Sequence, residues 1–168
     1  MILKFFQLEK KNIKDKKFFL FYGNNKGLIQ ETVKNKIETL ISSKAQKYEE
    51  SEIIKNKENF LENISNKSFF ENEKLIIIFR ATDKLFKTIE EVIEKKVDDT
   101  IILLISEVLE KKSKLRNFFE KSNDAVCVPF YEDNSKTLSS LALNFFKEKK
   151  IALSQQNINL LVERCRCD

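Results

Sequence analysis

Residues 18–28 read Phe18-Phe19-Leu20-Phe21-Tyr22-Gly23-Asn24-Asn25-Lys26-Gly27-Leu28. A short run with no polar break, closed by a glycine, predicts a strand buried on both faces of a parallel sheet. A helix should follow it. Asn24 or Asn25 is available as N-cap, and Ile29, Val33, Ile37 and Leu40 fall on one helical face at spacings of four, four and three.

The same alternation repeats along the chain. Gln46 to Glu52 is polar and suits an edge strand or loop. A short helix is expected from about Lys57, capped by Asn56, with Phe60, Leu61 and Ile64 inward. Leu75 to Phe79 is isoleucine-rich and reads as a central strand. A long helix led in by Thr82 or Asp83 then carries Leu85, Phe86, Ile89, Val92, Ile93 and Val97. Ile101 to Ile105 is a third buried strand, Ser113 caps a short helix presenting Leu115, Phe118 and Phe119, and Ala125 to Val128 is a fourth core strand ended by Pro129. Strand and helix in alternation imply an α/β fold, a parallel β-sheet with helices on both faces.

The texture turns to helix alone near Ser135. Leu138, Leu141, Ala142, Phe145 and Phe146 form an amphipathic stripe, and Ser154 caps a second helix bearing Ile158, Leu161, Val162 and Cys165. The expected division is therefore a sheet domain over residues 1–133 and the start of a helical unit over 134–168. Two helices leave an apolar face that wants a third, so this second unit is expected to be cut short, the chain being a fragment of something longer.

Composition narrows the chemistry. The 168 residues contain no His, which removes the commonest general base and the commonest metal ligand. Cys127, Cys165 and Cys167 form neither an even disulfide framework nor a zinc set, so no metal is expected. No apolar run approaches the length of a membrane span, and the N-terminus lacks the apolar core of a secretory signal. A cytoplasmic location with no membrane partner is the expectation. The net charge of +5 raises nucleic-acid binding as an alternative, but most lysines alternate with glutamates, as on a solvated helix surface.

An active nucleoside triphosphatase is the other alternative. The place to look is the carboxyl end of the first strand, where open α/β sheets hold their ligands. A phosphate loop needs the spacing G-x-x-x-x-G-K-[ST]. Here Lys26 precedes the second glycine, and Leu28 and Ile29 stand where polar groups belong. An acid that would hold magnesium should end a later strand; after Leu75 to Phe79 comes Arg80. No cofactor is expected.

Ser68-Phe69-Phe70 stands out by context. It lies between a predicted helix and a predicted strand, flanked by Asn66-Lys67 and Glu71-Asn72-Glu73-Lys74, with no apolar stripe running through it. Adjacent helical side chains diverge by about 100°, so at most one phenylalanine fits easily inside. Core packing and an exposed binding anchor both remain open on these residues alone.

The layout resembles the delta subunit of the bacterial DNA polymerase III clamp loader over essentially the whole chain. The resembling residues are Phe18 to Asn24, Ser68 to Ile78, Asp99 to Leu104, and Leu109 to Phe119. The resemblance implies a degenerate AAA+ module that does not use ATP, without a catalytic site of its own, within a DNA-directed DNA polymerase holoenzyme, a nucleotidyltransferase. It implies that Ser68, Phe69 and Phe70 stand at a clamp-contacting tripeptide of Ser-Leu-Phe type, with Phe69 in place of the usual leucine. The partners implied are the beta sliding clamp and, for a full-length subunit, delta prime and gamma or tau, with DNA engaged indirectly. The family's helical lid and its collar domain lead to the expectation that this chain ends inside the lid and lacks the collar.

Overall fold

The computed structural model describes the chain apart from residues 4, 9–11, 14, 42, 66–72, 96, 98 and 166–168 and the side chain of Phe6. Two compact units emerge, Met1–Tyr131 and Glu132–Asp168.

The first unit is built on five parallel strands: β1 (Phe18–Tyr22), β2 (Gln46–Glu49), β3 (Lys74–Phe79), β4 (Thr100–Ser106) and β5 (Ala125–Pro129). Their order across the sheet is β2-β3-β4-β1-β5. The three central strands, β3, β4 and β1, have continuous apolar runs, Leu75–Phe79, Ile101–Ile105 and Phe18–Tyr22, because both of their faces are covered. Side chains alternate between two cores: Phe18, Leu20 and Tyr22 enter one, Phe19 and Phe21 the other. This is the period of two inherent in a pleated strand.

The helices divide accordingly. On the face of Leu20 lie α4 (Lys57–Ser65), α5 (Phe86–Glu94) and α6 (Lys114–Lys121), which contribute Phe60, Ile64, Ile89, Val92, Leu115 and Phe119. On the face of Phe21 lie α2 (Lys26–Thr32) with Ile29, and the amino-terminal segment with α1 (Phe5–Leu8), which adds Leu3, Leu8 and Ile13. Asn25 caps α2, its side chain accepting from Leu28 N–H, and Ser113 caps α6 by accepting from Arg116 N–H. Both caps follow the sequence expectation.

Three details differ from that expectation. The helix after β1 does not run on evenly to Leu40: α2 passes into a π-helical turn over Val33–Ile37 and a 3₁₀ turn over Glu38–Leu40. The Thr32 hydroxyl donates to the Leu28 carbonyl at 2.6 Å, a back-bond that goes with bent helix ends. The wider turn still keeps Val33 and Ile37 buried. The helix expected from Thr82 to Val97 is shorter. It opens with a 3₁₀ turn, Asp83–Leu85, continues as α5 and ends at Lys95, while Val97 still packs on the core from beyond it.

Finally, residues expected to be edge strand or loop contain a separate helix, α3 (Glu50–Lys55). A reciprocal cap starts it: the Glu49 side chain accepts from the α3 backbone, and Glu52 Oε2 accepts from Glu49 N–H at 2.8 Å. Asn56 consequently closes α3, its N–H donating to the Glu52 carbonyl.

The second unit contains α7 (Ser135–Glu148), capped by Asn134, and α8 (Gln155–Arg164), capped by Ser154. Ile158 and Val162 of α8 are buried, whereas Leu141 and Phe145 of the α7 stripe are more than half exposed. Lys150, in the left-handed region at φ 57°, ends the turn after α7, where its N–H donates to the Lys147 carbonyl.

Candidate functional site

The carboxyl ends of β1 to β4 frame a cleft of about 300 Å³ lined by Gly23, Lys26, Ile29, Gln30, Glu49, Phe79, Arg80, Ile105, Ser106 and Glu107. Strand order reverses here, between β4 and β1, which is where α/β sheets usually hold ligands. The turn from β1 to α2 is only Gly23, Asn24 and Asn25. Four backbone donors of this turn and the start of α2 are engaged inside the protein. Gly23 N–H donates to the Ser106 carbonyl at 3.3 Å, Asn25 N–H to the Phe130 carbonyl at 3.3 Å, Lys26 N–H to the Asn24 carbonyl at 2.9 Å, and Leu28 N–H to Asn25 Oδ1 at 3.1 Å. A phosphate cradle depends on such amides facing the ligand.

Gly23 is required for a specific reason. Its φ is 135°, and a Cβ built on it would lie 2.0 Å from the Phe130 carbonyl oxygen. The glycine therefore serves a close approach between the β1 turn and the chain leaving β5. Gly27, by contrast, has open space around it.

The turn after β3 is stitched to its neighbours on both sides. Arg80, at φ 55°, donates from Nε to Glu49 Oε2 at 2.8 Å. That bond holds the Glu49 carboxyl below the usual carboxylate range. Thr82 donates through N–H at 2.9 Å and Oγ1 at 2.7 Å to Glu50 Oε1. On the other side, the buried Ser106 hydroxyl donates to the Ala81 carbonyl at 2.6 Å.

Asp83 reaches across to α6, accepting from Ser113 Oγ at 2.6 Å, Leu115 N–H at 3.0 Å and Lys114 N–H at 3.1 Å. Partial burial pushes its carboxyl up, but these three donors outweigh that and leave it below the usual range. The position at which a triphosphatase would place its magnesium-binding acid thus holds Arg80, whose cation is paired with the β2 end.

Arg116 organises the remaining rim. Its guanidinium lies 5.0 Å from the Tyr22 ring centroid, donates from Nε to Glu120 at 2.7 Å and from Nη1 to the Leu109 carbonyl at 3.0 Å. It joins β1, α6 and the loop leaving β4. Cys127 lies buried on β5, and burial pushes its thiol up to about 12, which removes it as a nucleophile at neutral pH. Among the described residues, no three His, Cys, Asp or Glu side chains gather as metal ligands.

Ser68, Phe69 and Phe70 lie outside the described residues. Their attachment points do not. The preceding helix α4 ends at Ser65, and β3 begins at Lys74, at the amino edge of the sheet and opposite the cleft. That edge is tied down. Lys17 Nζ is 3.1 Å from Glu73 Oε1, Ser43 Oγ donates to the Glu73 carbonyl at 2.7 Å, Lys74 N–H donates to the Asp99 carbonyl at 2.8 Å, and Lys74 Nζ donates to the Asn63 carbonyl at 3.1 Å.

The sequence drew attention to Lys26 and Arg80 but not to Glu49, Glu50 or Glu107, their immediate surroundings. It offered Thr82 or Asp83 as the lead-in to the helix after β3; Thr82 has that role, accepting from Lys84 N–H, and Asp83 serves α6. The Glu49-x-x-Glu52 spacing was the available signal for α3. Nothing in the sequence alone links Asp83 to Ser113.

No helix among the described residues is long and apolar enough to cross a membrane. No curated protein matches the chain by sequence. Among solved structures, the chain is similar to the Bacillus subtilis DNA clamp loader delta protein (YqeN), with a TM-score of 0.69 at 17% identity, covering 94% of this chain and 51% of that one. It thus spans about half the length of that protein. It also matches domain III of the Thermotoga maritima replication initiation protein DnaA, with a TM-score of 0.46 at 12% identity, covering 95% of this chain and 74% of that one. The family model of the DNA polymerase III delta subunit matches residues 19–130, from within β1 to just past β5. The five-stranded parallel sheet described above and that match lead to one conclusion: the chain belongs to the DNA polymerase III delta subunit family.

Proposed function

We propose that this chain is a clamp-loader module that grips the beta sliding clamp through Ser68, Phe69 and Phe70 and favours the opened ring, without using ATP. The observation that carries this reading is the family match across residues 19–130, which includes the tripeptide between α4 and β3. Two apolar side chains offered from a short connection suit a pocket on a partner, and anchored ends reduce the ordering cost of binding. The committed amides of the β1 turn and Arg80 at the end of β3 support a role that does not run on triphosphate hydrolysis.

Favouring an open ring demands tighter binding to the open than to the closed clamp, since equal affinity shifts nothing. Residues 134–168 are assigned to a helical lid, and a longer subunit would join delta prime and gamma or tau through further domains. Clamp binding is tested by passing the chain over immobilised cognate clamp. Saturable retention at low micromolar concentration supports the proposal, and retention by duplex DNA alone, steeply weakened by salt, would replace it with a nucleic-acid-binding role.

A further inference from the structure

The cleft at the carboxyl rim contains two cations, Lys26 and Arg80, and two anions, Glu49 and Glu107, above apolar Ile29, Phe79 and Ile105. Each cation already has a partner. Lys26 Nζ lies 3.4 Å from Glu107 Oε1, and Arg80 Nε lies 2.8 Å from Glu49 Oε2. The four groups come from the ends of β2, β3 and β4 and from the first turn of α2, so the two pairs cross the mouth of one cleft. Arg80 is held in a left-handed backbone conformation that a non-glycine residue adopts at a cost, and such conformations persist where surrounding contacts fix them. Here the Arg80 side chain meets Glu49, and the next residue is held by Ala81 N–H donating to the Ile105 carbonyl at 3.0 Å.

Lysine and arginine are the side chains with which proteins take hold of polyphosphates. In this cleft each cation is already met by a carboxylate oxygen, and the four charges sum to zero. We infer that Glu49 and Glu107 are resident anions that block a latent polyphosphate site, so that removing both carboxylates uncovers it. This inference deepens the ATP-independent reading and rests on it.

The Lys26–Glu107 pair is exposed, each side chain 74% accessible, so it contributes little to folding and is separable from it. Glutamine at 49 keeps an acceptor for the start of α3.

The experiment is calorimetric titration with sodium tripolyphosphate at about 0.01 M ionic strength, where charges act over roughly 30 Å. Wild type is expected to bind weakly or not at all. The E49Q/E107Q variant should bind at least about tenfold more tightly, and adding K26Q should abolish the gain. An E62Q/E148Q control, which raises the net charge equally on α4 and α7, should behave as wild type.

No gain in E49Q/E107Q, or an equal gain in the control, overturns the inference while leaving the ATP-independent role standing. Tight binding of magnesium ATP by wild type would instead overturn that role. Should the double variant fail to fold, E107Q alone carries the test, with about half the gain on a logarithmic scale expected.

Discussion

At Gly23 a single hydrogen decides whether two segments can meet. The Phe130 carbonyl would lie 2.0 Å from an added Cβ, and the φ of 135° is one that side-chain-bearing residues rarely adopt. Gly23→Ala should therefore cost more than about 2 kcal/mol in denaturant unfolding, among the larger single-residue effects. Gly27→Ala, in open space within α2, should gain up to about 1 kcal/mol from the better helix propensity of alanine. Equal and small effects at both glycines would contradict the clamped turn.

Asp83 makes a second prediction at this scale. Its carboxyl is depressed by donors present only in the folded chain, so the unfolded chain binds the proton more readily. Its contribution is full above about pH 4, the ordinary carboxylate value, and is lost as pH falls through its lower folded value. Asp83→Ala should destabilise the protein at pH 7 by about 1–2 kcal/mol, comparable to the loss of a helix cap, and the difference from wild type should shrink below about pH 4. A difference that stays constant from pH 7 to pH 3 would exclude the charged cap.

Among the elements, α3 is the one that periodicity could not announce. Within Glu50–Lys55 only Ile53 and Ile54 are apolar, and neighbouring positions define no stripe. The structure separates them: Ile53 is 1% exposed and Ile54 is 48% exposed. Ile53→Ala should cost about 2–5 kcal/mol, and Ile54→Ala should fall within about 0.5 kcal/mol of wild type. Similar values for the two would mean that α3 does not lie on the core as described.

The contrast with β1, β3, β4 and β5 is instructive, for their apolar runs left little choice but a sheet buried on both faces. The caps at Asn25 and Ser113 were equally legible because each is a local contact within three residues. The ties from Asp83 to Ser113 and from Glu49 to Arg80 join residues some thirty positions apart. Only the assembled sheet brings them together, and no spacing rule reaches that far. The π turn over Val33–Ile37 was hidden because spacings of four suit both an ordinary helix and a widened one.

At the scale of the whole molecule, the two edges of the sheet are furnished differently. At the carboxyl edge, where ligands of such folds usually bind, the turn after β3 is tied to its neighbours by Glu49, Glu50, Ser106 and Asp83. The amino edge anchors the segment bearing Ser68, Phe69 and Phe70 through Glu73 and Lys74. On the proposed function, that division suits a module that grips a clamp from its amino edge and does not run on nucleotide. Magnesium ATP at millimolar concentration is accordingly expected to leave the thermal unfolding midpoint unchanged, whereas an upward shift of several degrees would place a nucleotide in the cleft.

The grip itself is tested most directly on one variant, Phe69→Ala combined with Phe70→Ala, by measuring clamp affinity and thermal unfolding on the same preparation. Apolar anchors of this kind typically cost about 2 kcal/mol or more each when truncated, and about 1.4 kcal/mol is tenfold in affinity. The account predicts clamp binding weakened by about a hundredfold or more with an unfolding midpoint close to wild type. Undiminished affinity would contradict it outright, and affinity lost together with about 3–5 kcal/mol of stability would assign the two phenylalanines to the core instead.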